Sequence, residues 1–160
     1  MSSKYKMNNP GGIYFLSTAV VNWIDVFTRI EYREIILNSL KYCICKKGLV
    51  LYGYVIMTNH IHLISGRRSD VTVFSDIIRD FKKFTSSQII KAIQENPQES
   101  RKDWLLWLFE RAGKANGNNT LYQLWHGPTL RQDNHPIELE GDWIDQKLEY
   151  LPQQSLGCPE

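Results

Sequence analysis

No apolar run approaches the roughly 20 residues needed to cross a bilayer, and the first residues lack the apolar core of a signal peptide. We therefore expect a cytoplasmic protein with no membrane partner. There are only three cysteines, Cys43, Cys45 and Cys158, which form neither an even disulfide set nor a Cys-x-x-Cys pair, so we expect them to be reduced and incidental. A net charge of only +2 is explained by solubility alone and does not by itself indicate a nucleic-acid partner.

The composition is that of a globular protein. The chain has 160 residues, of which 42% are hydrophobic and 12% aromatic, enough for one domain with its own core. Residues 1–12 are polar and close with Pro10-Gly11-Gly12, so they are predicted to form a flexible leader. The domain itself is predicted to cover residues 13–151.

Hydrophobic spacing predicts an α+β fold. Thr28 and Glu31 form a plausible capping box at the start of the first helix, and Gly48 supplies its stop. The predicted strands are 13–21, 49–57 and 61–65, and the predicted helices are 28–47, 73–93 and 99–114. This β-α-β-β-α order is typical of a ferredoxin-like antiparallel sheet that has helices on one face and a free second face. Residues 121–125 are the candidate last strand, and residues 142–151 are predicted to form a C-terminal helix.

Two histidines stand out on the third predicted strand. Residues two apart in a strand face the same way, so His60 and His62 would present their imidazoles about 6 to 7 Å apart at the backbone, close enough to share one divalent ion. Ile61 and Leu63 would then point into the core. The alternative interpretation is a pair of half-exposed strand histidines that hold no ligand.

Several motifs in the same order resemble a known family, the single-tyrosine HUH transposases, and within it the REP-associated tyrosine transposases. The resemblance spans residues 13–151. The residues that carry it are Tyr54-Val55-Ile56-Met57-Thr58-Asn59-His60-Ile61-His62-Leu63-Ile64, Ile77-Ile78-Arg79-Asp80-Phe81-Lys82-Lys83-Phe84-Thr85, Gln132-Asp133-Asn134-His135-Pro136 and Asp145-Gln146-Lys147-Leu148-Glu149-Tyr150.

The resemblance implies a DNA transposase of a mobile element that nicks and rejoins single-stranded DNA near hairpins. It implies that His60 and His62 bind magnesium or manganese, and that Tyr150, on the C-terminal helix, forms a 5′-phosphotyrosine intermediate. It also implies a homodimer. From the residues alone, the favoured interpretation of Tyr150 is a buried aromatic side chain of an amphipathic helix.

Cationic side chains near the histidines in sequence are candidate DNA contacts, because they would offset phosphate charge. They are Arg67, Arg68, Arg79, Lys82, Lys83 and Lys91. Trp125 or His126 could stack on an unpaired base. The alternative is an ordinary solvated helix face.

The chain departs from the family pattern in two places. Residues 126–130 form an insertion after Trp125, and after Tyr150 the family's Ile/Leu-His-x-Asn-Pro is replaced by Leu151-Pro152-Gln153-Gln154. One inserted nucleotide accounts for the second difference, so we interpret residues 152–160 as an atypical, frameshifted tail. Gln154, four residues after Tyr150, falls where related transposases carry a third metal ligand, or is a tail amide.

Two other functions remain open from the sequence. One is a decayed transposase that acts only as a DNA hairpin-binding module. The other is an unrelated ferredoxin-like binder of RNA or a small ligand, in which the histidines are incidental.

Overall fold

The structure is a computed structural model that describes residues 7, 9–68, 72–117, 121–127, 137–139, 156 and 158. The statements below concern these residues. Tyr150, Gln154 and the predicted helix at 142–151 lie outside them, as do the inserted residues 128–130 and most of the predicted leader and tail.

The chain has an α+β fold with an antiparallel sheet, as the hydrophobic pattern predicted. The elements are β1 (Ile13–Ala19), α1 (Ile30–Lys47), β2 (Leu49–Ile56), β3 (His60–Arg67), α2 (Phe74–Glu95), α3 (Lys102–Ala115) and the short β4 (Ile137–Leu139). The strand order across the sheet is β2-β3-β1-β4, and each neighbouring pair is antiparallel. In the described part of the chain, no helix is both long enough and apolar enough to span a membrane.

The two faces of the sheet differ in what covers them. On one face Tyr14 and Leu16 of β1 join Ile61 and Leu63 of β3 in the main core, and the Tyr14 ring stacks on Phe74 of α2 at 5.2 Å. This alternation of buried and half-buried residues is the period-2 pattern of a strand with one face in a core. The opposite face carries a small second apolar cluster around the fully buried Ile64.

The helix boundaries were predicted better at the C-terminal ends than at the N-terminal ends. Gly48 adopts the left-handed conformation (φ 76°) that ends α1, as predicted, and α2 ends at Glu95, two residues beyond its predicted end. The predicted Thr28–Glu31 capping box is wrong, because α1 begins at Ile30 without a side-chain cap. The chain before this helix is instead held by the Arg33 side chain, which donates a hydrogen bond to Phe27 O.

Residues 121–125 do not form the predicted last strand, which is a correction. Trp125 forms an isolated bridge to Val20, and Leu124 O accepts a hydrogen bond from Val21 N at 2.8 Å, but the segment forms no strand. The Trp125 indole N–H donates to Thr85 Oγ1 of α2 at 3.0 Å, and this contact directs the segment toward the helix layer. The edge of β1 is paired by β4 instead, with Phe15 opposite Ile137.

The interpretation of all three cysteines as reduced is wrong for two of them. Cys45 of α1 and Cys158 form a disulfide across 113 residues of sequence, with their Cα atoms 5.7 Å apart. The spacing of the cysteines in the sequence could not predict this disulfide, because the pairing depends on the fold bringing Cys158 close to α1. Cys43 is a free, buried thiol, and burial raises its pKa to about 11.

Candidate functional site

His60 and His62 lie side by side on β3, on the face opposite the helices. Ile61 between them is fully buried in the core, whereas both histidines are half-buried. Across the sheet, His60 faces Ala19 and His62 faces Ser17 of β1. The two ring centroids are 4.7 Å apart with an angle of 76° between the planes. The prediction that both imidazoles share one face, with their neighbours in the core, is confirmed.

Two aromatic rings flank the histidine pair. Phe15 stacks on His62 with a centroid separation of 5.2 Å, and Trp23 meets His60 edge to face at 5.7 Å. Trp23 belongs to a short 3-10 turn after β1 and has a positive φ of 54°. These contacts restrict the rotation of both imidazoles, and neither was predicted from the sequence because each joins residues more than 30 positions apart.

Asn59 sets the orientation of the His60 ring. Asn59 Nδ2 donates a hydrogen bond to Trp23 O at 3.2 Å, so its amide oxygen is the atom that lies 2.7 Å from His60 Nδ1. A carbonyl oxygen only accepts, so Nδ1 carries the hydrogen and donates, and a neutral ring keeps its lone pair on Nε2. Orientation by such a hydrogen bond is usual for metal-binding histidines. The signal in the sequence was the position of Asn59 directly before the pair.

The protonation state of His60 also suits cation binding. Burial lowers the pKa of this imidazole, because desolvation penalises its charged form. The neutral form, which is the form that binds metals, is therefore favoured near pH 7.

The described residues supply only part of a metal site. The histidine pair fits two nitrogen ligands of one divalent ion. Among the residues that the structure describes, no group of three His, Cys, Asp or Glu side chains is placed to hold a metal. Further ligands would have to come from water, from a substrate oxygen or from Gln154, and such open positions are what a catalytic ion requires. The assignments of Gln154 and Tyr150 remain predictions.

The structure separates the six candidate DNA-binding residues into two groups. Arg67 and Arg68 lie at the far end of β3, roughly 23 Å along the strand from His60. Arg67 donates hydrogen bonds to Pro10 O at 3.0 Å and to Thr72 O at 2.7 Å. These contacts hold in place the residues just before β1 and just after β3. Arg68 is exposed.

Arg79, Lys82 and Lys83 instead line a groove of about 960 Å³ between α2 and residues 121–127. Lys91 lies in the same groove. Because these four cations share one wall, we call this feature the basic groove. The backbone N–H of His126, at one end of the groove, donates to Ala19 O at 2.8 Å, and Ala19 is the β1 residue that faces His60. The groove therefore ends beside the strand that pairs with the histidine strand.

Of the two residues expected to stack on a base, Trp125 is not available. It is only 6% exposed, packs against Phe27 and is hydrogen bonded to Thr85. His126 is half-buried and lines the basic groove, as does the half-buried Tyr122. Compared with known proteins, the chain matches no protein-family model and no curated protein.

Proposed function

We propose that the protein is a metal-dependent transposase that nicks and rejoins single-stranded DNA near hairpins through a 5′-phosphotyrosine on Tyr150. The observation that carries this proposal is the histidine pair: two half-buried imidazoles lie on one sheet face, with their ring centroids 4.7 Å apart. Burial and the Asn59 contact both favour a neutral His60 ring that can bind a cation. The motif resemblance supplies the reaction and the tyrosine.

The strand order supports the fold that goes with this proposal. Read from β4, the order is β4-β1-β3-β2 with antiparallel neighbours. That order suits a ferredoxin-like domain built from β-α-β-β-α-β, with the histidines on the face away from α1 and α2. We further propose that residues 142–151 form a helix carrying Tyr150, that the protein acts as a homodimer, and that it works in the cytoplasm.

The proposed chemistry balances without a nucleotide cofactor. The Tyr150 phenol oxygen attacks the scissile phosphorus and loses its proton, the bond from phosphorus to the 3′ oxygen breaks, and a free 3′-hydroxyl leaves. A magnesium or manganese ion held by His60 and His62 supplies stabilisation of the charge that develops on the phosphate. Attack by a 3′-hydroxyl on the phosphotyrosine reverses the step and rejoins strands, because the linkage conserves the phosphodiester energy.

A cleavage assay tests the proposal. A labelled single strand that contains a hairpin is incubated with the protein and manganese, and covalent protein–DNA adducts are separated on a denaturing gel. We expect an adduct with the wild type, none with Tyr150→Phe, and an unchanged amount with the matched control Tyr42→Phe, an exposed tyrosine of α1 that does not line the basic groove. His60→Ala should abolish the adduct but retain DNA binding.

The other outcomes are informative. DNA binding by the wild type without any adduct would contradict the enzyme and favour a hairpin-binding module. The basic groove is the observation that favours this second function, because it is lined by cations whether or not the metal site is complete. If no salt-sensitive DNA binding occurs, both functions are wrong.

A further inference from the structure

The cations of the basic groove differ in how far they are already neutralised. Arg79 pairs with Asp76 at 2.7 Å and Asp80 at 3.3 Å, and Lys91 lies 3.9 Å from Glu95. Lys82 and Lys83 make no ion pair within the described part of the chain. Glu95 is the one carboxylate among the described residues that line the groove. The groove therefore has an excess of positive charge that centres on these two lysines.

Lys82 is half-buried, and its location needs an explanation. It lines both the basic groove and an adjoining cavity of about 60 Å³ whose other walls include Ile78 and Phe81. Burial lowers the pKa of its ammonium group. Placing a cation beside apolar side chains is unfavourable unless an anion accompanies it. An anion bound in the groove would provide this compensation.

The opposite wall of the groove is held in place by hydrogen bonds. Asn116 Nδ2 donates to Gln123 Oε1 at 3.1 Å, Gln123 Nε2 donates to Trp125 O at 2.9 Å, and Gln123 N donates to Phe109 O at 3.0 Å. The Trp125 indole fixes the same segment to Thr85 of α2. A wall braced in this way loses little freedom when a ligand binds.

The groove leads toward the histidine pair. His126 is hydrogen bonded to Ala19, and Ala19 pairs with His60 on the next strand. Two inter-strand spacings put the backbones of His126 and His60 roughly 10 Å apart. The groove lies against α2, whereas the histidines lie on the opposite face of the sheet, so a ligand that contacts both must pass round the outer side of β1 beside His126. An extended polyanion is long enough to do this, and an isolated small anion is not.

We propose that the basic groove binds the phosphate backbone of the single DNA strand that reaches the histidine pair, with Lys82 as the inner phosphate contact and Lys83 at the rim. This inference rests on the proposed function for the identity of the strand. The proposal assigns DNA binding to only some of the cations that the sequence indicated. Arg68 is not one of them, because it lies beyond the far end of β3 and does not line the groove.

Binding measurements on matched variants test the groove. Fluorescence anisotropy of a labelled single-stranded oligonucleotide is recorded between 50 and 200 mM salt for Lys82→Met, Lys83→Met and the control Arg68→Met, each of which removes one positive charge. We expect Lys82→Met and Lys83→Met to weaken binding about tenfold and to reduce the slope of log affinity against log salt by about 0.7, the value for one phosphate contact on a single strand. Arg68→Met should change the affinity less than about twofold.

One further variant and one further ligand keep the test decisive. Lys82→Arg retains the charge and should bind nearly as tightly as the wild type, and exposed Lys83 reports on the groove even if Lys82→Met folds poorly. Equal weakening by all three methionine variants would overturn the groove, and so would tighter binding of an RNA of the same sequence. If the wild type binds no DNA, the proposed function fails. If it binds DNA and forms the Tyr150 adduct but the lysine variants behave like Arg68→Met, the groove alone is wrong.

Discussion

Glu99 is a buried carboxylate whose removal should measurably destabilise the fold. Its side chain has no exposed surface, and it lies 2.7 Å from Arg29 Nε and 3.4 Å from Arg101 Nε. The Tyr32 hydroxyl donates to it at 3.1 Å, and the Arg101 backbone N–H donates at 3.2 Å. These contacts tie the start of α1 to the segment between α2 and α3. Glu99→Gln removes the charge and keeps the shape.

The expected loss of unfolding free energy depends on how far Arg29 and Arg101, the ion-pair partners of Glu99, are exposed to water. Removing one member of a buried ion pair costs about 3 to 5 kcal/mol when the remaining charge stays buried. The Arg29 and Arg101 side chains are 29% and 36% exposed, so water can solvate them after the substitution. We therefore expect a loss of about 2 to 3 kcal/mol in the free energy of unfolding, which lowers the melting temperature of a chain of this length by about 4 to 12 °C.

The same network predicts how stability depends on pH. Burial acts to raise the pKa of Glu99, but hydrogen bonds from Arg101 and Tyr32 and the charges of Arg29 and Arg101 outweigh it, so the pKa is lowered. Because the folded pKa lies below that of the unfolded chain, the unfolded chain binds more protons and stability rises with pH. The contribution is complete above the ordinary glutamate pKa of about 4.3 and is lost as pH falls through the lower folded pKa.

Urea unfolding of the wild type and Glu99→Gln at pH 7 and at pH 3 measures both effects. We expect a difference of about 2 to 3 kcal/mol at pH 7 that becomes smaller at pH 3. The matched control is Glu95→Gln, whose side chain is 67% exposed and which should change stability by less than about 0.5 kcal/mol. Equal stability of Glu99→Gln and Glu95→Gln at pH 7 would refute the reasoning.

Three other predictions concern the histidine strand and the cysteines. Asn59→Ala should weaken manganese binding about tenfold in a calorimetric titration, because the His60 ring loses its orienting contact, whereas exposed Asn38→Ala should leave it unchanged. Ile61→Ala should lower the free energy of unfolding in urea by about 2 to 5 kcal/mol, since Ile61 is fully buried; a loss below 1 kcal/mol would contradict its place in the core. Air-oxidised protein unfolded in guanidinium should show one reactive thiol, that of Cys43, and three after reduction; three before reduction would contradict the disulfide.

The features that the sequence predicted correctly depend on local periodicity. Alternation in β3 was enough to place His60 and His62 on one face and Ile61 in the core. The end of α1 at Gly48 was predictable because a residue with positive φ is commonly glycine. These signals act over a few residues and do not depend on the rest of the chain.

The features that it missed depend on contacts between distant residues. The 121–125 segment has the composition of a strand, but the hydrogen bond from Trp125 to Thr85, 40 residues away, directs it toward α2. The Asn59 contact with Trp23 and the bracing role of Arg67 likewise arise only when the chain is folded. Tyr150 lies outside the described residues, and its role rests on the motif resemblance.

Identification of the residue that becomes linked to DNA tests the central claim most directly. The protein is reacted with a hairpin-bearing single strand and manganese, then reduced, digested with nuclease and trypsin, and examined by tandem mass spectrometry. We predict a nucleotide attached through a phosphodiester to Tyr150, in the peptide that begins after Lys147, and its absence when His60 and His62 are both replaced by alanine. A nucleotide on any other residue, or an adduct that forms without the two histidines, would contradict the account.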